Sequence, residues 1–225
     1  MSTIVAGITV GQSPRTDMTG DICARLAPGL ALREYGALDG MARERIEAEL
    51  APAPGDEVLV SRMADGSSVT FSGTKIVPLV QNRIDRAEQD GARVAIVLCT
   101  GSFPTLRHTI PLIFPQPLLH SVARALAGNR PIAVMVPEAE QVEQAREWWG
   151  ASGVRVGEIV SANPYAGIDG VRRAAAALRG TEAAFLCLDC MGYSCAMRDA
   201  ARQASGLDVL LPRTLVASVV SELLG

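Results

Sequence analysis

The stretches FPQPLLHSVARALAG (114–128) and LPRTLVASVVSELLG (211–225) align without a gap and share Pro, Leu, Ser, Val, Leu and Gly at six of fifteen positions. Helices rich in Leu, Val and Ala match partly by chance, so the flanking order carries the argument. Upstream of each copy lies an apolar run ending in a cysteine: ARVAIVLC closes on Cys99 and EAAFLCLDC on Cys190. Further upstream each half opens with a strand-like run, GITVGQSP and IAVMVPEA. The spacing predicts two α/β lobes related by a pseudo-twofold axis, with mostly parallel sheets.

Short β-branched runs alternate with longer helical patterns throughout, as expected of α/β architecture. STIVAGITVG reads as the first strand and TDMTGDICARL as a helix; ALREYGALDG reads as a second strand with its turn. DEVLVSRMADGSSVTFSG carries two alternating runs around Asp65-Gly66, the signature of a β-hairpin. A helix follows over 75–90, the strand to Cys99, a strand-like TIPLIF, and a helix over 117–126. The second half repeats the alternation, with helices over 138–149 and 168–178, one from about Ser194, and a terminal helix. The expected organisation is a first lobe over 1–128, lengthened by a hairpin near 57–72, and a second over 129–225. The C-terminal helix is free to pack back on the first lobe. The hairpin is a candidate lid or dimer contact.

Composition narrows the function. Of 225 residues, 48% are hydrophobic, 20% charged and only 4% aromatic, so Ala, Val, Leu and Ile must build the core. The net charge of −3, with no basic face, argues against nucleic-acid binding. No apolar run reaches membrane-spanning length. The N-terminus has no basic segment before its apolar run, so it reads as a strand and not a secretory signal, and the expected location is cytoplasmic. Five cysteines without a secretory signal favour free thiols.

In open α/β sheets ligands bind beyond the carboxyl ends of the strands. Cys99 and Cys190 stand at two such ends, each with a glycine soon after, Gly101 and Gly192, and then an expected helix. A helix N-terminus facing a thiol favours thiolate. Two thiols on opposite walls of a cleft between the lobes suit inversion of a carbon acid, one removing the proton and the other supplying it. No electron-sink cofactor is needed where the site binds the enediolate-like state tightly. The competing reading is that cysteines are small hydrophobes at home in buried strands.

In LCLDCMGY (186–193), residues three apart on a strand face opposite sides, so Cys187 should pack while Cys190 reaches the cleft. That orientation, the absence of a second Cys-x-x-Cys, and the distance of His108 and His120 in sequence argue against a metal clip. Cys23 and Cys195 fall in helical segments and read as core. His108 and His120 read as loop and helix-surface residues. One ring of Trp148-Trp149 reads as core or interface.

The loop Gly11-Gln12-Ser13-Pro14-Arg15-Thr16-Asp17 offers backbone N–H groups, the Ser13 hydroxyl and the Arg15 guanidinium to an anionic carboxylate; an ordinary turn with a capping Asp17 is the alternative. It lacks the glycine pattern of a nucleotide loop. Thr100, Ser102 and Tyr193 flank the cysteines. They could orient substrate or equally cap helices and satisfy buried backbone. Asp189 would raise a nearby thiol pKa unless alternation turns it away. Tyr165 reads as a turn residue with a minor claim to the cleft.

LCTG and LDCMGY, the opening GITVGQSPRTD and the paired-lobe order resemble the AroM family over essentially the whole chain. That family is similar to the cofactor-independent Asp/Glu racemase superfamily, with its hydantoin racemases, maleate isomerases and arylmalonate decarboxylases. The resemblance implies acid/base roles for Cys99 and Cys190. It also implies that Gln12-Ser13 matches the first substrate loop and that Thr100 matches a polar residue following the first cysteine. The chain departs from the racemase pattern in carrying CTG where many racemases have Cys-Asn-Thr, and CMGY where they have Cys-Thr-His.

The expected function is a racemase or epimerase working without cofactor or metal by two-thiol proton transfer at carbon α to a carboxylate. Its candidate substrate contacts are Gln12, Ser13, Arg15, Thr100, Gly101, Gly192 and Tyr193. A single-thiol isomerase or decarboxylase is the nearest alternative, and a small-carboxylate sensor the next. The expected partner is the substrate itself, with a homodimer left open.

Overall fold

The computed structural model describes residues 2–56 and 58–225, so position 57, the first of the expected hairpin, lies outside the described residues. The chain divides into two compact units, 1–114 with 218–225, and 115–217.

The first unit is built on a four-stranded parallel sheet ordered β2-β1-β5-β6. These strands are β1 (Thr3–Thr9), β2 (Leu30–Gly36), β5 (Val94–Val97) and β6 (Leu112–Ile113). Central β5 is buried along its whole length, as a parallel strand covered on both faces must be. Edge strand β2 instead alternates half-buried and exposed positions over its first residues. Between β2 and β5 the chain forms α2 (Arg43–Glu49), the antiparallel hairpin β3 (Val58–Arg62) and β4 (Ser68–Ser72), and α3 (Gly73–Gln89). Gly66 turns the hairpin tip at φ +81°, where a side chain would be strained. Leu59, Val69 and Phe71 on the hairpin's inner face join a core with Ile46 of α2. Ile76, Val80, Ile84 and Ala87 enter the same core from α3, one stripe at helical spacing. Helix α2 escaped the sequence reading because its seven residues bury only Ile46. Helix α1 (Thr16–Cys23) follows β1.

The second unit repeats the topology. Its sheet, ordered β8-β7-β9-β10, is also parallel. The strands are β7 (Ile132–Val136), β8 (Val156–Ser161), β9 (Leu186–Leu188) and β10 (Val209–Leu210). Helices α5 (Val142–Ala151), α6 (Ile168–Ala176) and α7 (Cys195–Ser205) connect them. Alternation along the strands sends Ala133, Met135, Leu186 and Leu188 into one core and Ile132, Val134, Val136 and Cys187 into another, on the other face of the sheet.

The repeated segments are α4 (Pro115–Ala127) and α8 (Pro212–Leu224), each starting two residues past the last strand of its half. Helix α4 lies in the second unit, packing Leu119, Ala123 and Ala127 beside Trp149. The sequence boundary at 128 sits beyond this helix, because packing and not chain order decides where it belongs. The final turns of α8 lie in the first unit, where Ser221 Oγ accepts from Ala27 N–H at 2.9 Å. Among the described residues no helix is long and apolar enough to cross a membrane.

The hairpin approaches the loop after β1 so closely that Gly11 has no room for a side chain. A Cβ there would meet the Ser61 side chain and stand 2.5 Å from the Arg62 carbonyl oxygen. Gly11→Ala should cost about 1–3 kcal/mol by overpacking. Thermal denaturation should show this as a melting temperature lowered by roughly 2–10 °C. Gly20→Ala, in α1 with nothing within 4 Å, should be neutral or stabilising. Equal behaviour of the two variants would contradict the close approach.

Candidate functional site

At the carboxyl end of the first sheet, Leu98 N–H donates to the Ile8 carbonyl at 2.7 Å and Cys99 N–H to the Val97 carbonyl at 2.8 Å. The chain then turns, and Gly101 N–H donates to Cys99 Sγ at 3.3 Å. The second sheet repeats this arrangement. Asp189 N–H donates to the Met135 carbonyl at 2.8 Å, and Gly192 N–H to Cys190 Sγ at 3.3 Å. Both sulfurs are half-buried, and all five cysteines are free thiols. A backbone donor aimed at sulfur favours thiolate over thiol. Cys187 is buried on the other face of the sheet from Cys190, so the two form no clip. Its thiol is pushed well up by burial and by the charge of Asp189.

Of the other expected contacts, Thr100, Gly101 and Gly192 stay at their strand ends, Thr100 and Gly101 partly exposed. Gln12, Ser13 and Arg15 differ from expectation, because protein groups occupy their polar atoms. Gln12 Nε2 donates to the Leu38 and Met41 carbonyls at 3.1 and 2.8 Å, and its Oε1 accepts from Ala64 N–H at 2.8 Å. The hydroxyl and the N–H of Ser13 each donate to Asp39 at 2.7 Å. Arg15 is 3% exposed and grips Asp17 with two bonds of 2.8 Å, while Nη1 reaches Thr9 Oγ1 and Ser61 Oγ. Burial pushes Asp17 upward, but the hydrogen bond and charge of Arg15 more than offset it and hold the carboxyl below its ordinary value. The loop is a braced frame joining β1 to the hairpin, and not an open anion cradle.

Tyr193 also differs. Its ring is fully buried in the second unit's core and its hydroxyl donates to the Ala162 carbonyl at 2.8 Å. Burial pushes this phenol well above its ordinary range, as do the charges of Cys190, Asp189 and Glu138. By tying Ala162, just past β8, to the Cys190 loop, Tyr193 shapes the site from beneath. Tyr165, read from sequence as a turn residue, lies beside that loop. A Cβ on Gly192 would stand 2.8 Å from Pro164 Cγ and 3.0 Å from Tyr165 Oη. Asn163 completes the link, its side chain donating to Glu138 Oε1 at 2.5 Å and accepting from Tyr165 N–H.

Three further readings are corrected. Cys23 is exposed and not core, because α1 turns that face outward. His120 is buried and not on a helix surface, its ring 4.0 Å from that of Trp149. The helix expected after Gly101 does not follow at once: the chain is irregular over 100–111 and passes through β6 before α4 begins. Asp189 turns away from Cys190, as alternation allows, and Oδ2 accepts from Trp149 Nε1–H at 2.7 Å. Arg213 and Asp39 had no sequence signal beyond their places in a helix start and a turn, yet both hold site loops in position.

The order of parallel sheets and covering helices in the two units resembles the fold of solved racemases and isomerases. Allantoin racemase from Klebsiella pneumoniae superposes with a TM-score of 0.67 at 16% identity, over 99% of this chain and 87% of that one. Maleate isomerase Iso from Pseudomonas putida S16 gives 0.68 at 11% identity, over 99% and 93%. Aspartate racemase from Picrophilus torridus gives 0.62 at 12%, over 98% and 94%. At such identities the likeness is one of fold. The AroM protein family model matches residues 5–224, and the chain belongs to the AroM family. Among curated proteins none matches the chain by sequence.

The buried Asp189–Trp149–His120 group carries a pH signature of two opposing parts. Burial raises Asp189 from 3.8 to about 6, so between those values the folded chain keeps a proton that the unfolded chain releases. Stability from this group therefore falls as pH rises across that window. Burial lowers His120 from 6.5 to about 4, so there the unfolded chain holds the extra proton and stability rises with pH. Each contribution is on the order of 2–3 kcal/mol. Urea denaturation should show Asp189→Asn gaining stability between about pH 4 and 6 and His120→Gln losing it. Parallel curves for the two variants would refute the assignment.

Proposed function

We propose that this protein is a cofactor-independent racemase or epimerase that moves the proton on the carbon α to a carboxylate of an amino-acid-like compound. Cys99 and Cys190 are its acid/base pair. The observation that carries this reading is the matched sulfur geometry. Each thiol sits just beyond the same strand of two topologically identical sheets and accepts an N–H from the glycine two residues on, at 3.3 Å in both halves.

The chemistry follows from the groups present. One thiolate takes the α-proton and becomes a thiol, and the C–H electron pair moves into the carboxylate to give an enediolate-like state. The other thiol delivers its proton to the same carbon and is left as thiolate, so the protein ends with the protonation pattern reversed and the product inverted. The carboxylate and its extra charge need donors that gain strength as charge develops. Thr100 in the first unit and the Tyr165 phenol, close to Gly192 in the second, are the candidates, since the N–H groups of Gly101 and Gly192 are given to the sulfurs. Gln12, Ser13 and Arg15 act indirectly, by bracing the loop after β1. The family membership and the fold shared with racemases support this reading. The expected partner is a small carboxylate.

Incubating D- and L-amino acids and related carboxylates in D₂O, with α-proton exchange followed by NMR, tests the reading. Exchange should fall by more than about 100-fold in both Cys99→Ala and Cys190→Ala, the scale of losing a general acid or base. Dependence on one thiol alone would favour a single-thiol isomerase or decarboxylase. Tight binding without exchange would make the protein a sensor.

A further inference from the structure

The residue before each cysteine occupies the same place in its sheet. Leu98 N–H donates to the Ile8 carbonyl at 2.7 Å, and Asp189 N–H to the Met135 carbonyl at 2.8 Å. Both side chains are enclosed, Leu98 at 2% exposure and Asp189 at 9%. A leucine therefore suffices, in the first half, to end the strand and start the turn. In the second half a carboxylate stands there, and burying one is costly unless hydrogen bonds compensate. Its Oδ2 accepts from Trp149 Nε1–H at 2.7 Å, while Oδ1 has no hydrogen-bond partner among the described residues. The bond to the indole is what distinguishes this strand end from its counterpart.

Trp149 is itself fixed from several sides. It lies near the end of α5 and is fully buried. Its carbonyl accepts from Ser152 Oγ at 2.6 Å, in the turn that closes the helix. The His120 ring of α4 stands 4.0 Å from the indole, tilted by 43°. Leu119, Ala123 and Ala127 of α4 fill the same core. His120 Nε2 has no hydrogen-bond partner among the described residues, which leaves ring contact as the role of this side chain.

The consequence for Cys190 is geometric. Side chains alternate at the end of β9. Cys187 belongs to the core that contains Trp149, and Cys190 packs against the core on the opposite face. Asp189 reaches the Trp149 side, so it and Cys190 leave neighbouring residues in opposing directions. A roll of this segment about its own axis that carried Asp189 away from Trp149 would swing Cys190 with it. The Gly192 N–H holds the sulfur within its turn, and the indole holds the turn against the sheet.

We propose that Trp149 is a positioning residue for Cys190: its indole N–H, acting through Asp189, fixes the direction in which the sulfur-bearing turn leaves the second sheet. The catalytic meaning rests on the two-thiol reading, in which the sulfur must meet the α-carbon in a set geometry.

The test has two readouts, and the first needs no substrate. Amide hydrogen exchange followed by NMR reports on each strand end separately. Trp149→Phe keeps an aromatic ring and removes the donor. It should lower the protection of Asp189 N–H by at least about ten-fold, the scale of one lost hydrogen bond, and leave that of Leu98 unchanged. Asp189→Leu breaks the same bond from the other side without opening the core, and should lower protection at position 189 in the same way. Asp189→Asn, which keeps an acceptor for the indole, should preserve it. In the second readout, α-proton exchange on D- and L-amino acids and related carboxylates, Trp149→Phe should lower kcat by at least about ten-fold and hold KM within about two-fold. Asp189→Asn should retain most of the rate. Combining Trp149→Phe with Asp189→Leu should cost no more than the worse single change, because both break one bond. Unchanged protection at position 189 in folded Trp149→Phe or Asp189→Leu variants would overturn the proposal. An equal loss of protection at Leu98, the mark of general destabilisation, would do the same, as would a raised KM with kcat preserved. Lowered protection at position 189 alone, with no exchange on any substrate by the unaltered protein, would strike the functional reading and leave the positional assignment standing.

Discussion

The rest of the structure depends on how a parallel strand ends. Inside the sheet the central strands are paired on both sides and buried on both faces. Past the last rung the chain must find other partners for its N–H and C=O groups or expose them to water. In both halves the solution is a short turn in which a cysteine sulfur accepts the N–H of the glycine two residues on. The turn places a polarisable, ionisable atom just outside a rigid hydrocarbon wall. Such a sulfur is held in place by its own backbone.

The surrounding polar residues serve this arrangement more than they serve a ligand. Buried Arg15, Thr9 and Ser61, with the more exposed Asp17, form a network joining β1, the loop after it and the hairpin. Asp39 accepts two bonds from Ser13 and one from Gly36 N–H, closing the strand ends β1 and β2 on each other. In the second unit Tyr193, Asn163 and the close approach of Tyr165 to Gly192 link the loops after β7, β8 and β9. The loops at these sheet ends are therefore fixed by their own side chains, which lowers the cost of ordering them around a small substrate.

Duplicated topology does not imply duplicated side chains. The repeat aligns Gln116 with Arg213, and the chain that follows each cysteine is irregular in one half and helical in the other. A buried guanidinium is costly unless its donors are satisfied, and the Met191 carbonyl oxygen accepts from both Nε and Nη2 of Arg213. This contact binds the helix start of α8 to the sulfur-bearing loop of β9 within one unit.

Periodicity and repetition in the sequence were enough to define the α/β class, the paired lobes, the hairpin around Asp65-Gly66 and the two strand-end cysteines. Each of these follows from local pattern: burial on both faces writes itself as an unbroken apolar run, and a tight turn as Asp-Gly. Alternation likewise told Cys187 from Cys190. What tertiary structure alone decided was the occupation of polar side chains. Whether Arg15 faces a ligand or Asp17, whether Tyr193 opens outward or packs, and whether His120 lies on a surface or under Trp149 depends on segments distant in sequence. Hydrogen bonds between such segments leave no periodic trace. The chain's own pattern thus names the groups able to react, and packing determines which of their neighbours are free to take part.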